Sequence, residues 1–148
     1  MNMELSQMSW PDLSYALVPF AAWLTAGGLK FVINSLRARR LAFDLIGYGG
    51  MPSNHAAIVS SAAALVGLRE GIGHPAFGVA VALAFVVMLD AASLRRQVGR
   101  LAQEVNRLRG DVPAQAPLRE RMGHTRLELA AGCAVGIAVA WAVQWWFG

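Results

Sequence analysis

The sequence has a single cysteine, few charged residues and no basic residue among its first twelve positions. Cys133 alone cannot form an intrachain disulfide, and its place inside an apolar run favours a packing role. Without a basic segment ahead of the first apolar run, we expect no cleaved signal peptide. Aromatic side chains do not alternate with the basic ones, which argues against nucleic-acid binding despite the net charge of +4. What remains is a chain that is 56% hydrophobic and 15% charged, which is typical of an integral membrane protein.

Four apolar runs predict transmembrane helices near residues 13–36, 53–68, 76–94 and 129–147, the second being short for a full crossing. Residues 95–109 predict an amphipathic cytoplasmic helix that lies on the membrane surface, packs on other helices or pairs with a second copy. Its apolar heptad stripe consists of Leu94, Val98, Leu101, Val105 and Leu108. A flexible linker is expected at 111–117. The sequence therefore predicts a single all-α, membrane-embedded domain over residues 1–148, a polytopic bundle of about four transmembrane helices plus one cytoplasmic helix.

The basic residues divide unevenly between the two sides that four crossings define. Eleven fall on the side of the loops after the first and third spans: Arg37, Arg39, Arg40, Arg95, Arg96, Arg100, Arg107, Arg109, Arg119, Arg121 and Arg126. The other side has only Arg69. Because cytoplasmic loops carry the excess of Lys and Arg, both termini are expected outside the inner membrane and the large loops in the cytoplasm.

A glycine-rich turn, Gly49 to Met51, precedes Pro52, Ser53, Asn54 and His55, where the second apolar run begins. Glycine permits positive φ, and Ser53 or Asn54 can cap the helix that follows. A helix N-terminus after such a turn attracts anions through its N–H groups and dipole, and His55 can exchange a proton with a docked anion. The alternative is a plain tight turn with a capping histidine.

Other polar residues stand at the span ends predicted to share the cytoplasmic layer. Lys30 and Arg37 are two helical turns apart and can reach one anion, unless Lys30 only snorkels to the interface. Asp90 is costly at its depth unless it is functional or paired with Arg95 or Arg96. His124 and Glu128 share one helical face, so the carboxylate can orient the imidazole, or the two form an ordinary pair at a helix start.

Four crossings bring these scattered residues into one layer, with cations to bind a phosphate and two histidines to serve as nucleophile and acid. This convergence favours a catalytic site over the non-catalytic role that each of these residues could have by itself.

The motifs resemble the type-2 phosphatidic acid phosphatase and vanadium haloperoxidase superfamily, and most closely its small divergent bacterial and plant branch. The parent pattern has Lys-x6-Arg-Pro, Pro-Ser-Gly-His and Ser-Arg-x5-His-x3-Asp elements. Lys30 and Arg37 fit the first without its proline, and residues 52–55 fit the second with Asn54 for glycine. His124 and Glu128 fit the end of the third, although its Ser-Arg pair is missing. Arg119 is one position off, and Arg95 or Arg96 can substitute from the preceding helix.

The resemblance implies metal-independent hydrolysis of a lipid or isoprenoid (di)phosphate through a phosphohistidine, at the cytoplasmic face. His124 would attack phosphorus, His55 would protonate the leaving oxygen and Glu128 would orient His124. The phosphate oxygens would be bound by a set of cations and a hydroxyl, namely Lys30, Arg37, Ser53 and an arginine of the pair Arg95 and Arg96. Asp90, Asn54 and Arg119 would support the site.

Two other functions stay open at this stage. A Mg²⁺-dependent diphosphate hydrolase would use Asp90 with Glu104 or Asp44, although no Asp-rich cluster appears. A non-catalytic protein would bind lipid phosphates or act as a scaffold through the basic layer and the heptad helix. The expected partners are a lipid phosphate, membrane lipids and a second copy in a homodimer, and no metal cofactor or nucleic acid is expected.

Overall fold

The chain is all-helical in the computed structural model, which describes residues 10–43, 50–109, 116–120 and 122–147. Its α-helices are α1 Trp10–Ala38, α2 Asn54–Arg69, α3 Pro75–Leu89, α4 Arg95–Arg109 and α5 Arg126–Phe147. A π-helical turn, Asp90–Leu94, joins α3 to α4. The predicted fold class, a helical membrane bundle with an additional amphipathic helix, is confirmed.

Three helical stretches in the described ranges are long and apolar enough to cross a membrane: Leu13–Ala38, Pro75–Arg109 and Arg126–Phe147. The fourth predicted crossing, α2, has 16 residues and a length of about 24 Å, compared with about 30 Å of hydrocarbon in a bilayer. It packs against α1, α3 and α5, and most of its side chains are buried or half-buried. Because its neighbours surround it, α2 does not need to meet lipid along a full bilayer thickness.

The start of α2 follows from the turn that precedes it. Gly50 has a φ of 139°, a conformation that glycine adopts without strain, and the Met51–Pro52 peptide bond is cis. Ser53 is the N-cap, and its hydroxyl accepts a hydrogen bond of 3.4 Å from the N–H of Ala56. The predicted cap is therefore present, and the helix begins with Asn54 and His55.

Helices α2 and α5 make the most extensive contact in the bundle. A Cβ at Gly132 would lie 2.4 Å from the carbonyl oxygen of Ser53, and one at Gly136 would lie 2.3 Å from that of Ala57. Small residues one helical turn apart let membrane helices approach at backbone distance. This contact fixes the height of α5 relative to α2 and therefore the relative positions of their first turns.

One end of the bundle is joined by polar side chains. Arg69, at the end of α2, donates to Gln144 Oε1 near the end of α5 at 2.6 Å, and its guanidinium lies 5.2 Å from the ring centroid of Tyr15 near the start of α1. The Tyr15 hydroxyl donates to Glu70. The end of α1 and the starts of α2 and α5 therefore meet at the opposite end.

The amphipathic helix begins at Arg95 as predicted, but no break separates it from α3. The span expected to stop at residue 94 continues through the π-helical turn into α4 as one 35-residue helix, because Arg95 donates its N–H to Asp90 O and the helical bonding does not break. The linker expected at 111–117 lies partly outside the described residues. The following backbone is attached to α4, since Leu118 exchanges hydrogen bonds with the Asn106 side chain at 2.8 and 2.9 Å.

Candidate active site

Two histidines from distant parts of the chain face each other at the end where α2 and α5 begin. The N–H of Ser53 donates to the carbonyl oxygen of Glu128 at 2.9 Å, which ties the start of α2 to the first turn of α5. His55 comes two residues after Ser53 in the chain, and His124 comes four residues before Glu128. Their ring centroids lie 5.9 Å apart with the ring planes inclined by 58°. One group of phosphate size can contact both rings.

His124 is positioned by the π-helical turn. Its N–H donates to the carbonyl oxygen of Ala91 at 2.9 Å, and its own carbonyl oxygen accepts from the Arg96 guanidinium at 3.1 Å. Gly123 has a φ of 89°, and a Cβ there would lie 3.1 Å from the backbone nitrogen of Arg96. π-Helical turns occur frequently at functional sites because they redirect backbone groups. Here the turn anchors the residue predicted to be the nucleophile.

Glu128 makes two kinds of contact with one carboxylate oxygen. Its Oε2 lies 3.3 Å from His124 Nδ1 and accepts the N–H of Thr125 at 2.8 Å. The Thr125 hydroxyl in turn accepts the N–H of Glu128 at 3.3 Å, which completes a capping box. The contact expected if Glu128 orients the imidazole and the bonds of an ordinary helix start are therefore both present. With Nδ1–H directed at the carboxylate, the lone pair of His124 resides on Nε2.

The pKa of His124 is lowered from its ordinary value. Burial is the main cause, since only 7% of the side chain is exposed, and the positive charge of Lys30 acts in the same direction. The hydrogen bond and negative charge of Glu128 oppose this change. A lowered pKa keeps the imidazole neutral near pH 7, which is the form that can attack phosphorus.

Cations lie within electrostatic reach of both imidazoles. The charges of Lys30 on α1 and Arg95 at the start of α4 act on His55 and on His124. Arg95 is also paired with Asp90, with its Nε 2.9 Å from Oδ2. The ion pair predicted as the alternative role for Asp90 is thus present. It also restrains the orientation of the Arg95 guanidinium.

Two buried polar atoms in the first turn of α2 have no hydrogen-bond partner within the described part of the protein: Asn54 Oδ1 and His55 Nδ1. Buried polar groups in native proteins are nearly always paired, so each exception requires a reason. Both atoms belong to the first turn of α2, beside the facing imidazoles. A bound ligand would supply the hydrogen bonds that these two atoms lack.

The remaining predicted ligands are exposed or already serve a structural role. Arg37 is exposed in the last turn of α1, two turns beyond Lys30. Ser53 is fully buried and serves as the cap of α2. Arg119 is exposed in the segment attached to α4. Its neighbour Leu118 is hydrogen-bonded to the Asn106 side chain, and the carbonyl of its other neighbour, Glu120, lies close against Gly99. Of the arginines predicted as phosphate ligands, Arg95 is the one whose charge acts on both imidazoles.

Of the acids proposed for Mg²⁺, the two that the structure describes, Asp90 and Glu104, do not meet. Asp90 and Glu104 are 14 positions apart on one continuous helix, a rise of about 21 Å, and Glu104 is 3.5 Å from Arg107. Asp44 lies outside the described residues. Among the residues whose positions are described, no group of three or more His, Cys, Asp or Glu side chains is arranged to hold a metal ion.

Several residues of the site were not predicted from the sequence. Thr125 had a readable signal, because Thr-x-x-Glu before an apolar run is the capping-box pattern. Gly123, next to His124, is the kind of residue that positive φ requires. Ala91 and Asn106 act through a backbone carbonyl and a loop contact that depend on tertiary structure, and no local pattern marks them.

Fold and site together define an integral membrane protein in which a helix bundle brings two histidines, a carboxylate and basic residues together at one end. Comparison with protein families gives a match to the Divergent PAP2 family over residues 13–139, and the chain belongs to this family. It is also similar to the uncharacterized membrane protein YuiD of Bacillus subtilis (strain 168), with 30% identity over 88% of this chain and 94% of the relative. No solved structure matches the chain.

Proposed function

We propose that the protein is a membrane phosphatase that hydrolyses a lipid or isoprenoid (di)phosphate through a phosphohistidine intermediate at the cytoplasmic face. The single observation that carries the proposal is the pair of facing imidazoles, 5.9 Å apart, one of them oriented through Nδ1 by Glu128. Membership of the Divergent PAP2 family supports phosphate ester chemistry. Membrane embedding supports a substrate whose apolar tail stays in the bilayer.

In the first step, the Nε2 lone pair of His124 attacks phosphorus. The bond from phosphorus to the ester oxygen breaks, its electron pair stays on that oxygen, and protonated His55 supplies the proton to the leaving group. In the second step, water attacks the phosphohistidine and gives a proton to His55. The P–N bond breaks, its electrons return to Nε2, and inorganic phosphate leaves.

Lys30 and Arg95 are proposed to bind the oxygens of the phosphoryl group. Phosphoryl transfer requires mainly positioning and stabilisation of charge on these oxygens, which two cations beside the imidazoles can provide. The first-turn N–H groups of α2 add a partial positive charge on the same side. Arg96 would act indirectly, through its hydrogen bond to the His124 carbonyl.

A second candidate is a protein that binds lipid phosphates without hydrolysing them. The burial of His124 favours it, because with 7% of the side chain exposed little of the ring is open to a substrate. The cations and the first turn of α2 could recognise a phosphate head group without any reaction. The two candidates differ in whether the histidines are required for phosphate release.

The deciding experiment uses the purified full chain in detergent with a panel of lipid mono- and diphosphates. We expect phosphate release by the wild type with or without EDTA, and at least about a hundredfold less release by His124→Ala and by His55→Ala. His74→Asn is the matched control, because His74 caps α3 at the other end of the bundle and Asn is an equally good cap. Equal release by wild type and His124→Ala would reject the histidine mechanism, and substrate binding without release would favour the second candidate.

A further inference from the structure

Helix α4 has one face covered by its own chain and one apolar face left open. Gly99 and Ala102 are buried, with the carbonyl of Glu120 close against Gly99 and Asn106 attached to the 116–120 segment. The open face, here called the heptad face, consists of Leu94, Val98, Leu101, Val105 and Leu108, of which Leu108 is 85% exposed. Five neighbouring exposed apolar side chains on a helix that is otherwise strongly charged mark a contact surface.

The heptad face lies beyond the part of the helix that spans the membrane. The continuous helix Pro75–Arg109 has 35 residues and is about 52 Å long, whereas the hydrocarbon of a bilayer is about 30 Å thick. Its apolar part ends at Leu94, and α4 begins with Arg95 and Arg96. Most of the heptad face is therefore carried outside the hydrocarbon on the axis of a helix that crosses it.

The residue types on the heptad face fit a parallel pair of helices. The spacing places Val98 and Val105 at the a positions, and Leu94, Leu101 and Leu108 at the d positions. Valine at a with leucine at d favours two parallel strands. Two copies in one membrane have the same orientation, so their α4 helices leave it on the same side and run parallel.

The charges beside the heptad face are complementary between two such helices. Glu104 occupies a g position and Arg109 the following e position. In a parallel, in-register coiled coil, a g residue of one helix meets the e residue five positions later on the other. Glu104 of each copy would therefore meet Arg109 of its partner, and the two-fold symmetry forms this pair twice.

From these features we propose that the heptad face binds the heptad face of a second copy, as a parallel, in-register two-stranded coiled coil outside the membrane. The proposal does not depend on the catalytic function. Residues 110–115 lie outside the described part of the chain, and the proposal makes no use of them.

Cysteine crosslinking tests the pairing. In a Cys133→Ala background, which has no other cysteine, Leu101→Cys and Leu108→Cys are each oxidised with copper phenanthroline in proteoliposomes. Gln103→Cys is the matched control, because Gln103 is exposed on the same helix at the outward f position. We expect both heptad-face variants to form disulfide-linked dimers at least tenfold faster than the control. Equal rates at all three positions would overturn the proposal.

Charge reversal tests the register. Glu104→Arg should reduce the crosslinking rate of Leu101→Cys severalfold, and adding Arg109→Glu should restore it, because the double variant recreates the pair with opposite signs. Failure of the second change to restore the rate would reject the in-register arrangement. If Leu101→Cys does not crosslink and lipid shields it from a water-soluble maleimide that labels it in detergent, the heptad face contacts the membrane surface and the proposal is wrong.

Discussion

The Glu128 carboxylate serves both the fold and the candidate chemistry. As the last residue of a capping box with Thr125, it accepts a backbone N–H that would otherwise be unpaired at the start of α5. The same oxygen faces His124 Nδ1. One side chain therefore fixes both where α5 begins and how the imidazole is turned, so a structural and a catalytic role require separate variants.

Glu128→Gln and Thr125→Ala distinguish these roles. Glutamine can keep the capping box but lacks the charge that stabilises an imidazolium. We expect Glu128→Gln to lower kcat by about a hundredfold with little change in melting temperature. Thr125→Ala should cost about 1 kcal/mol of stability and leave kcat within a few fold of wild type. Equal losses of kcat in both variants would mean that Glu128 acts only by capping the helix.

The protonation of His124 provides a prediction that requires no substrate. Burial and Lys30 lower its pKa, so its NMR titration in micelles should have a midpoint below the ordinary histidine value of about 6.5. Glu128 raises that pKa, so Glu128→Gln should move the midpoint to still lower pH. A His124 midpoint above about 6.5 would contradict the proposed environment.

At the residue scale, the sequence predicted which residues belong to the site better than it predicted the role of each. His55, His124 and Glu128 were predicted from spacing and from the layer that the spans define, and the structure places them together. Ser53 was predicted as either a cap or a phosphate ligand, and its burial with a bond to Ala56 is the cap. The contact with Ala91 was not predictable, because a backbone carbonyl has no residue signature.

At the scale of elements, the packing of α5 on α2 determines whether the site exists. The first turns of these two helices carry His55 and Glu128, and their spacing depends on Gly132 and Gly136. Any increase in the distance between the helices would weaken the bond from the Ser53 N–H to the Glu128 carbonyl. Stability and activity should therefore decline together when this contact is disturbed.

Gly132→Ala should disturb the contact between α2 and α5. The new Cβ would meet the Ser53 carbonyl oxygen at 2.4 Å, and that backbone atom cannot move without shifting α2. We expect a loss of about 1 to 3 kcal/mol in stability and a large fall in phosphate release. Gly28→Ala is the control, since a Cβ at this position in α1 meets nothing within 4 Å. Thermal melting in detergent checks the prediction, which fails if both variants have the same melting temperature.

The sequence predicted helices well wherever apolar runs were long. Where polarity changes abruptly, at Arg95, it predicted the start of the amphipathic helix, and α4 begins there, but the sequence did not show that the backbone continues from α3 without a break. Hydropathy reports the environment of a segment, whereas helix continuity depends on backbone bonding, here Arg95 N–H to Asp90 O. A helix that leaves the membrane therefore looks like two elements in the sequence.

At the scale of the whole molecule, the arginines divide between the two ends of the bundle. Apart from Arg69, those in the described residues lie in or just after the last turn of α1, at the start of α5, or in α4 and the segment attached to it. Arg69 lies at the opposite end, bonded to Gln144. The excess of positive charge at the histidine end is the basis for predicting that this end faces the cytoplasm.

Thiol labelling in membranes tests this orientation and the crossing by the helix Pro75–Arg109 together. In the Cys133→Ala background, Ile72→Cys places a thiol in the exposed turn after α2, and Gln103→Cys places one on α4. A membrane-impermeant maleimide should label Ile72→Cys in intact cells and Gln103→Cys only in inverted vesicles, with equal labelling after solubilisation. The reverse pattern would place the histidines outside the cell. Labelling of both positions from one side would mean that the helix Pro75–Arg109 does not cross the membrane, since this helix alone separates the two thiols.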